Sequence, residues 1–241
     1  MTRKLYWEDA YLKEFDAVVK TFESNMVIFD QTAFYPTSGG QLNDTGKIIS
    51  GEKEYSVVDV KERDGEILHF LDRESELAEG AAVSCSINWD RRYALMRYHT
   101  ALHVLCAVVE NNYNGRWKGG MIYTDRAHVD FDLPSLNSEL AEKIVEEANR
   151  IIKENHKVSS RFLPKEEAMA NPSLAKTEPG RELMKKLDVV RIVEIENFDI
   201  QMDGGTHLHN TEEIGMLRLS EFSNKGANRK RVGISIMQLS I

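Results

Sequence analysis

Tyr55-Ser-Val-Val-Asp-Val-Lys-Glu-Arg-Asp-Gly-Glu-Ile-Leu-His-Phe-Leu71 decides how the first part of the chain folds. Two runs rich in β-branched and aromatic residues, 55–60 and 66–71, flank Asp64-Gly65. An Asp-Gly pair accepts the positive φ angles of a tight hairpin turn, so the stretch reads as two antiparallel strands. Working outward, Val27-Ile-Phe29 and Lys47-Ile-Ile49 read as further strands. Gly39-Gly40, Asn43-Asp44 and Gly51 supply turns between them. Short strands broken at such intervals read as a small β-barrel over residues 1–85.

From residue 86 the pattern changes. Asp90 is placed to cap a helix running to about residue 111, with Leu95, His99, Leu102, Cys106 and Val109 at helical spacing. A second helix is expected over 138–155, with Leu140, Ile144, Ala148, Ile151 and Ile152 on one face. Val189-Val-Arg-Ile-Val-Glu-Ile195, Met216-Leu-Arg-Leu219 and Val232-Gly-Ile-Ser-Ile-Met237 read as strands. Pro164, Pro172 and Pro179 divide the intervening region into short pieces. The expected class is therefore α+β, a barrel over 1–85 followed by a helix/sheet sandwich over 86–241.

Two pairs of metal-ligand residue types stand about a hundred positions apart. His99 and His103 share one face of the expected helix, since positions i and i+4 lie one above the other. Asp203-Gly204-Gly205-Thr206-His207 places a carboxylate and an imidazole around a Gly-Gly turn that lets backbone approach an ion. Together they suit a divalent ion such as zinc. Spacing alone is equally consistent with hydrogen-bonded core histidines. Thr100 stands where a helical metallopeptidase motif needs its general-base Glu, which disfavours peptide hydrolysis by that route.

Asp30-Gln-Thr-Ala-Phe-Tyr-Pro-Thr-Ser-Gly-Gly-Gln-Leu-Asn-Asp-Thr-Gly46 resembles the signature of the editing region of alanyl-tRNA synthetases and of their free-standing relatives, the AlaX-type trans-editing proteins. The resemblance continues in order through Trp89-Asp90, His99-Thr-Ala-Leu-His103, Asp125-Arg-Ala-His-Val-Asp-Phe-Asp132 and Gly204-Gly-Thr-His-Leu-His-Asn-Thr-Glu-Glu-Ile-Gly215. It implies a barrel, a zinc site and hydrolysis of wrong amino acids from tRNA specific for alanine. His99, His103 and His207 are the implied ligands. Asp203 stands where the family usually has cysteine; a carboxylate oxygen can ligate zinc, so it is the less firm fourth ligand. His209 competes with it weakly. The resemblance also implies that Thr32 recognises a serine hydroxyl, its alternative being a strand residue with a satisfied hydroxyl. Gln41 is expected as a polar contact to substrate, and Gly39-Gly40 either line that contact or only form a turn.

The chain has 241 residues and a formal charge of -8, from 31 Lys and Arg against 39 Asp and Glu. Such a field repels phosphate at long range, so RNA binding requires local basic clusters. Arg91, Arg92 and Arg97 form one, Arg116 and Lys118 another. Lys225-Gly-Ala-Asn-Arg-Lys-Arg231 is the best candidate, and Arg229, Lys230 and Arg231 are expected to contact the acceptor end of tRNA. No run of about 18 apolar residues occurs, and the opening residues lack the apolar stretch of a signal peptide. A cytoplasmic protein with neither membrane nor DNA as partner is expected. Cys85 and Cys106 form no Cys-x-x-Cys pair, which excludes a four-cysteine zinc site, and Cys106 is expected in the core.

The expected activity is trans-editing, deacylation of mischarged tRNA(Ala) carrying chiefly serine and also glycine, with one zinc ion per chain. A pocket made for a methyl side chain rejects glycine, or a small hydroxyl-bearing analogue, only weakly, which is why a second hydrolytic site is needed. Zinc would either activate water or position the substrate. A noncatalytic tRNA-binding module with structural zinc, and a metal-dependent small-molecule aminoacylase, are the alternatives.

Overall fold

The computed structural model describes residues 1–226 and 229–237. They form two compact units that divide between Leu95 and Met96. The class is α+β, as expected. Six strands close a barrel in the first unit: β1 (Glu14–Glu23), β2 (Met26–Phe29), β3 (Gly46–Ser50), β4 (Lys53–Arg63), β5 (Glu66–Leu71) and β6 (Ala82–Ile87). Their order around the barrel is β1-β2-β5-β4-β3-β6. The hairpin expected at Asp64-Gly65 is present, with φ of 52° and 77° and Arg63 paired to Glu66.

Alternation fills the barrel. On β5, Ile67, His69 and Leu71 point inward and are buried. On β4 the inward set is Tyr55, Val57 and Val60, because a bulge between Val57 and Asp59 inserts one residue and leaves Val58 exposed. Val27, Phe29, Ile48 and Val83 complete the core with them. His69 is the polar exception, fully buried. Its Nδ1–H donates to the Val27 carbonyl at 3.1 Å, so Nε2 is left to accept the Thr32 hydroxyl at 2.9 Å. Burial pushes its pKa down to about 4, which keeps the ring neutral at pH 7.

A buried ion pair braces the same unit. Arg92 and Asp44 are both 0 % exposed. Arg92 Nε lies 3.0 Å from each Asp44 oxygen, Nη1 donates to the Ala10 carbonyl at 2.9 Å and Nη2 to that of Ala33 at 2.5 Å. Asp44 Oδ2 also accepts Tyr35 N–H at 2.6 Å. Arg92, grouped above as a candidate RNA contact, is therefore a structural residue.

Arg92 lies in helix α1 (Trp89–Tyr113). The expected cap at Asp90 is corrected: Asn88 Oδ1 accepts Arg91 N–H at 3.2 Å, and Asp90 sits in the first turn, where a negative charge still favours the helix N-terminus. The sequence boundary drawn at 85/86 falls within β6; the compact units meet at Leu95/Met96, inside α1.

The second unit holds β7 (Arg116–Ile122), β8 (Ala127–Asp132), helix α2 (Ser138–Lys153), β9 (Val158–Pro164), β10 (Val189–Ile195), β11 (Asp199–Met202), β12 (Leu217–Asn224) and β13 (Lys230–Ile236). They form an antiparallel sheet β12-β13-β8-β7 and a second sheet β9-β10-β11. Asn137 caps α2 by accepting Leu140 N–H at 2.8 Å, and Ala141, Ile144, Val145, Ala148 and Ile152 form its buried face. Within this unit α1 is tied down by Tyr98, whose hydroxyl donates to the Asp125 carbonyl at 2.7 Å and accepts Ile236 N–H at 3.1 Å. Arg97 Nε donates to the Ile214 carbonyl at 2.9 Å. That anchorage fixes the helix face carrying the two histidines. No helix among the described residues is long and apolar enough to cross a membrane.

Candidate metal centre

His99 and His103 project from α1 toward the segment that follows β11, where Asp203 and His207 stand. One ligand atom from each of the four lies within 4.8 Å of the others. The structure thus brings together all four residues singled out from spacing, and it places His209 exposed and outside the cluster. Ring centroids are 4.3 Å apart for His99–His207, 4.5 Å for His103–His207 and 5.2 Å for His99–His103. All three rings are buried.

Asp203 occupies the centre of the cluster. Its Oδ1 accepts Gly205 N–H at 2.6 Å and lies 3.0 Å from His207 Nε2. Its Oδ2 lies 3.4 Å from His99 Nε2 and 3.7 Å from His103 Nε2. Burial pushes the Asp203 carboxyl up, but the three histidines outweigh it and hold it well below the usual carboxylate range. Burial, then the charges of His99 and His103, push His207 well below the ordinary histidine range.

Do these residues fit a metal? A tetrahedral ion with arms of about 2.0–2.1 Å needs ligand atoms about 3.3 Å apart. Measured from one carboxylate oxygen, Asp203 Oδ2, the separations to His99 Nε2 and His103 Nε2 are 3.4 and 3.7 Å, close to that edge. His103 Nε2 is buried without a hydrogen-bond partner, an arrangement that is costly unless another group engages that atom. Three imidazoles and one carboxylate are a donor set suited to zinc. The site fits.

Several residues that hold these ligands were not singled out from the sequence. Thr100 Oγ1 is 3.3 Å from His207 Nδ1 and accepts Leu208 N–H at 3.1 Å. The position noted for lacking a general base therefore orients a histidine. Gln201 Nε2 lies 2.9 Å from His103 Nδ1 and 2.8 Å from Asp199 Oδ2. Partners at the outer ring nitrogens fix how histidines face an ion. Arg191, from β10, spans the turn: its Nη1 donates to the carbonyls of Asp203 and Gly205, each at 3.0 Å.

The two glycines of the turn differ. A Cβ on Gly204 would meet nothing, whereas one on Gly205 would collide with His99 Cε1 and Nδ1. Gly205→Ala is expected to displace the His99 ring and weaken metal affinity by about 10- to 100-fold. Gly204→Ala should leave it near wild type. Competition with a chromophoric chelator measures both, and equal affinities would remove the steric argument.

Thr32, Gly39, Gly40 and Gln41 all belong to the first unit. Thr32 follows Gln31 in a two-residue strand paired in parallel with Arg3–Lys4. It is fully buried; its hydroxyl donates to His69 and accepts Phe34 N–H at 3.1 Å. Gly39 and Gly40 form a turn with φ of 57° and 85°, closed by Ser38 N–H to Gln41 O at 3.1 Å and Gln41 N–H to Ser38 O at 2.9 Å. Gln41 is buried. Lys230 is buried with Nζ on the Gly226 carbonyl at 2.8 Å, while Arg229 and Arg231 both pair with buried Asp130. Ala227 and Asn228 of the same basic stretch lie outside the described residues. Cys85 is buried, its thiol pushed up to about 12; Cys106 is half-buried and pushed well up by burial, then Asp199 and Glu110, so neither is set up as a nucleophile.

Comparison with known proteins agrees with this geometry. Residues 8–91 match the family model described as tRNA synthetases class II (A), and residues 190–232 match the threonyl and alanyl tRNA synthetase second additional domain. The alanyl-tRNA editing protein AlaX-M of Saccharolobus solfataricus is 43% identical over 234 residues, covering 96% of this chain and 98% of the relative. AlaX-M of Methanosarcina mazei is 38% identical over 245 residues, 98% of this chain and 97% of the relative. The alanine–tRNA ligase of Ignicoccus hospitalis is 42% identical over 221 residues, covering 90% of this chain but only 24% of the ligase. Matched along its length by free-standing proteins, and by a quarter of a synthetase, this chain belongs to the AlaX-M family of alanyl-tRNA editing proteins.

Proposed function

We propose that this chain deacylates mischarged tRNA(Ala) in trans, with seryl-tRNA(Ala) the main substrate, glycyl-tRNA(Ala) a second, and zinc the bound ion. The observation that carries the reading is the buried cluster of His99, His103, His207 and Asp203 in a chain similar along its length to editing proteins. Zinc held there supplies Lewis-acid charge for ester hydrolysis.

The protein's own residues do the positioning. Arg191 and Gly205 set the turn that presents Asp203 and His207, Thr100 holds His207, and Gln201 holds His103. Burial of the rings keeps the pocket poor in water, which strengthens each polar interaction made inside it. Asp203 ranks below the histidines as a ligand, since one of its oxygens is already committed to Gly205 N–H. Gln41 and the Gly39-Gly40 turn offer a polar contact to the substrate, and Arg229 with Arg231 offers charge to tRNA phosphates. Lys230, directed at a backbone carbonyl, serves the same segment by shaping it.

Discrimination for serine is assigned to Thr32. A hydroxyl has one donor and two acceptor sites. Thr32 uses its donor on His69 and one acceptor site on Phe34 N–H, which leaves one acceptor site for a substrate hydroxyl. Thr32→Val removes that site, costing about 1–3 kcal/mol, or roughly 5- to 150-fold in kcat/KM for seryl-tRNA. It also strips His69 and Phe34 of a partner, a cost common to every substrate. The informative quantity is therefore the Ser/Gly ratio of kcat/KM on one tRNA: it should fall in the variant, and an unchanged ratio would make Thr32 purely structural. The reaction itself is tested by comparing release of serine and alanine from tRNA(Ala), with serine expected to be released far faster.

A further inference from the structure

The outer face of the sheet β12-β13-β8-β7 holds a hollow of about 350 Å³ that belongs to no part of the metal centre. Gly233 on β13 makes its floor, paired with His128 on β8 and Glu221 on β12. A Cβ at Gly233 would press on Glu221 Cγ, with Ser220 Oγ 3.1 Å away. The register shift between Leu219 and Glu221 adds a bulge at the same place. Glycine and bulge together open a depression in an otherwise regular sheet.

Its walls have a defined chemistry. The Tyr123–Arg126 turn stands on one side, closed by Tyr123 N–H to the Arg126 carbonyl at 2.9 Å, with the Arg126 guanidinium 4.5 Å from the Tyr123 ring centroid. Arg231 stands on another, its Nε 2.7 Å from Asp130 Oδ1. Asp130 is buried and also holds Arg229, Nη2 to Oδ2 at 2.6 Å. Asp130 thus organises two guanidinium groups; Glu221 Oε1 also lies 3.8 Å from Arg231 Nη1 and Asp125 pairs with Arg126, so the three arginines are held in place among three carboxylates rather than forming an excess of positive charge. Burial, then Arg231, holds His128 below the ordinary histidine value, so near pH 7 its ring offers one donor and one acceptor.

We propose that this hollow receives one unstacked nucleotide of the tRNA, its base on the Tyr123–Arg126 platform and its phosphate toward Arg231 and Arg229. The inference rests on tRNA being the substrate, as proposed above. Aromatic rings and guanidinium planes on a sheet surface take splayed bases by stacking, and donors and acceptors beside them read the base edge. His128, Ser220 and Glu221 supply that mixture here. A chain of charge -8 needs such a local device, since its overall field does not attract RNA.

The test measures affinity for fluorescently labelled, uncharged tRNA(Ala) by anisotropy. Tyr123→Ala and Arg126→Ala are each expected to weaken binding by about 5- to 150-fold, the range that loss of one stacked base gives. Tyr123→Phe should retain most of the affinity, and zinc content should stay at the wild-type level in all three. Arg126 is mostly exposed, so its variant tests the proposal even where Tyr123→Ala fails to fold. Affinity within twofold of wild type for Arg126→Ala would overturn the proposal, as would tighter binding of free 5′-AMP than of tRNA. If the wild type binds tRNA and loses affinity with these substitutions but hydrolyses no mischarged tRNA, the nucleotide site stands and the editing reading fails. If deacylation is robust and the substitutions leave affinity unchanged, the nucleotide site fails alone.

Discussion

His99→Ala and His207→Ala should each lose bound zinc and deacylation activity together. Each removal takes one of three buried imidazoles from the cluster, and the remaining ring nitrogens and Asp203 cannot close around an ion with two strong ligands. The expected fall in kcat/KM is about 1,000-fold or more, since the charge of the ion is worth several kcal/mol and each 1.36 kcal/mol is tenfold. Asp203→Ala should weaken zinc binding less, because three histidines keep the ion while water fills the fourth position. Asp203→Cys should retain both metal and activity. Metal analysis of the purified variants is the check. Full zinc occupancy in both histidine variants would remove them as ligands; Asp203→Ala as metal-free as His207→Ala would reverse the ranking.

The largest effect on stability is expected at Asp44, away from the metal. Asp44→Ala leaves the Arg92 guanidinium buried without its counter-charge and leaves Tyr35 N–H without its acceptor. Breaking a buried pair from one side costs about 3–5 kcal/mol. Replacing both partners, as in Asp44→Leu with Arg92→Met, removes the stranded charge and should cost less than the two single substitutions added together. Denaturant titration followed by tryptophan fluorescence measures this. Simple additivity would mean that the pair contributes nothing as a pair.

The same Asp44 illustrates what sequence could and could not convey. It lies in the Asn-Asp-Thr-Gly end of the family signature, and nothing local marks it as an anchor for an arginine 48 positions away. The hairpin at 55–71 was legible because period-two alternation and an Asp-Gly turn are local properties. The bulge at Val58 was not, since it is set by pairing with β5. β7 and β9 also escaped notice: Arg-Trp-Lys-Gly-Gly-Met-Ile contains two glycines, and Val-Ser-Ser-Arg-Phe-Leu-Pro is a largely exposed edge strand without an apolar face.

At the candidate metal centre the four residues that cluster were legible from two short spacings. Thr100, Arg191 and Gln201 act through tertiary contacts that those spacings do not encode. One signal was available: Asp199, Gln201 and Asp203 alternate, so an extended segment turns all three to one side, and the last is a candidate ligand. The basic stretch at 229–231 shows the same limit. Composition counted three free cations, but the partner that engages two of them, Asp130, is distant in sequence, and Lys230 is buried.

The account turns on one ion at one site driving one hydrolysis. The most direct measurement titrates zinc into metal-stripped protein while following serine release from seryl-tRNA(Ala). Activity should be absent without metal, rise linearly and level off at one equivalent of zinc per chain, with alanyl-tRNA(Ala) left intact throughout. Full activity in the stripped protein, or a plateau that needs several equivalents, would contradict it.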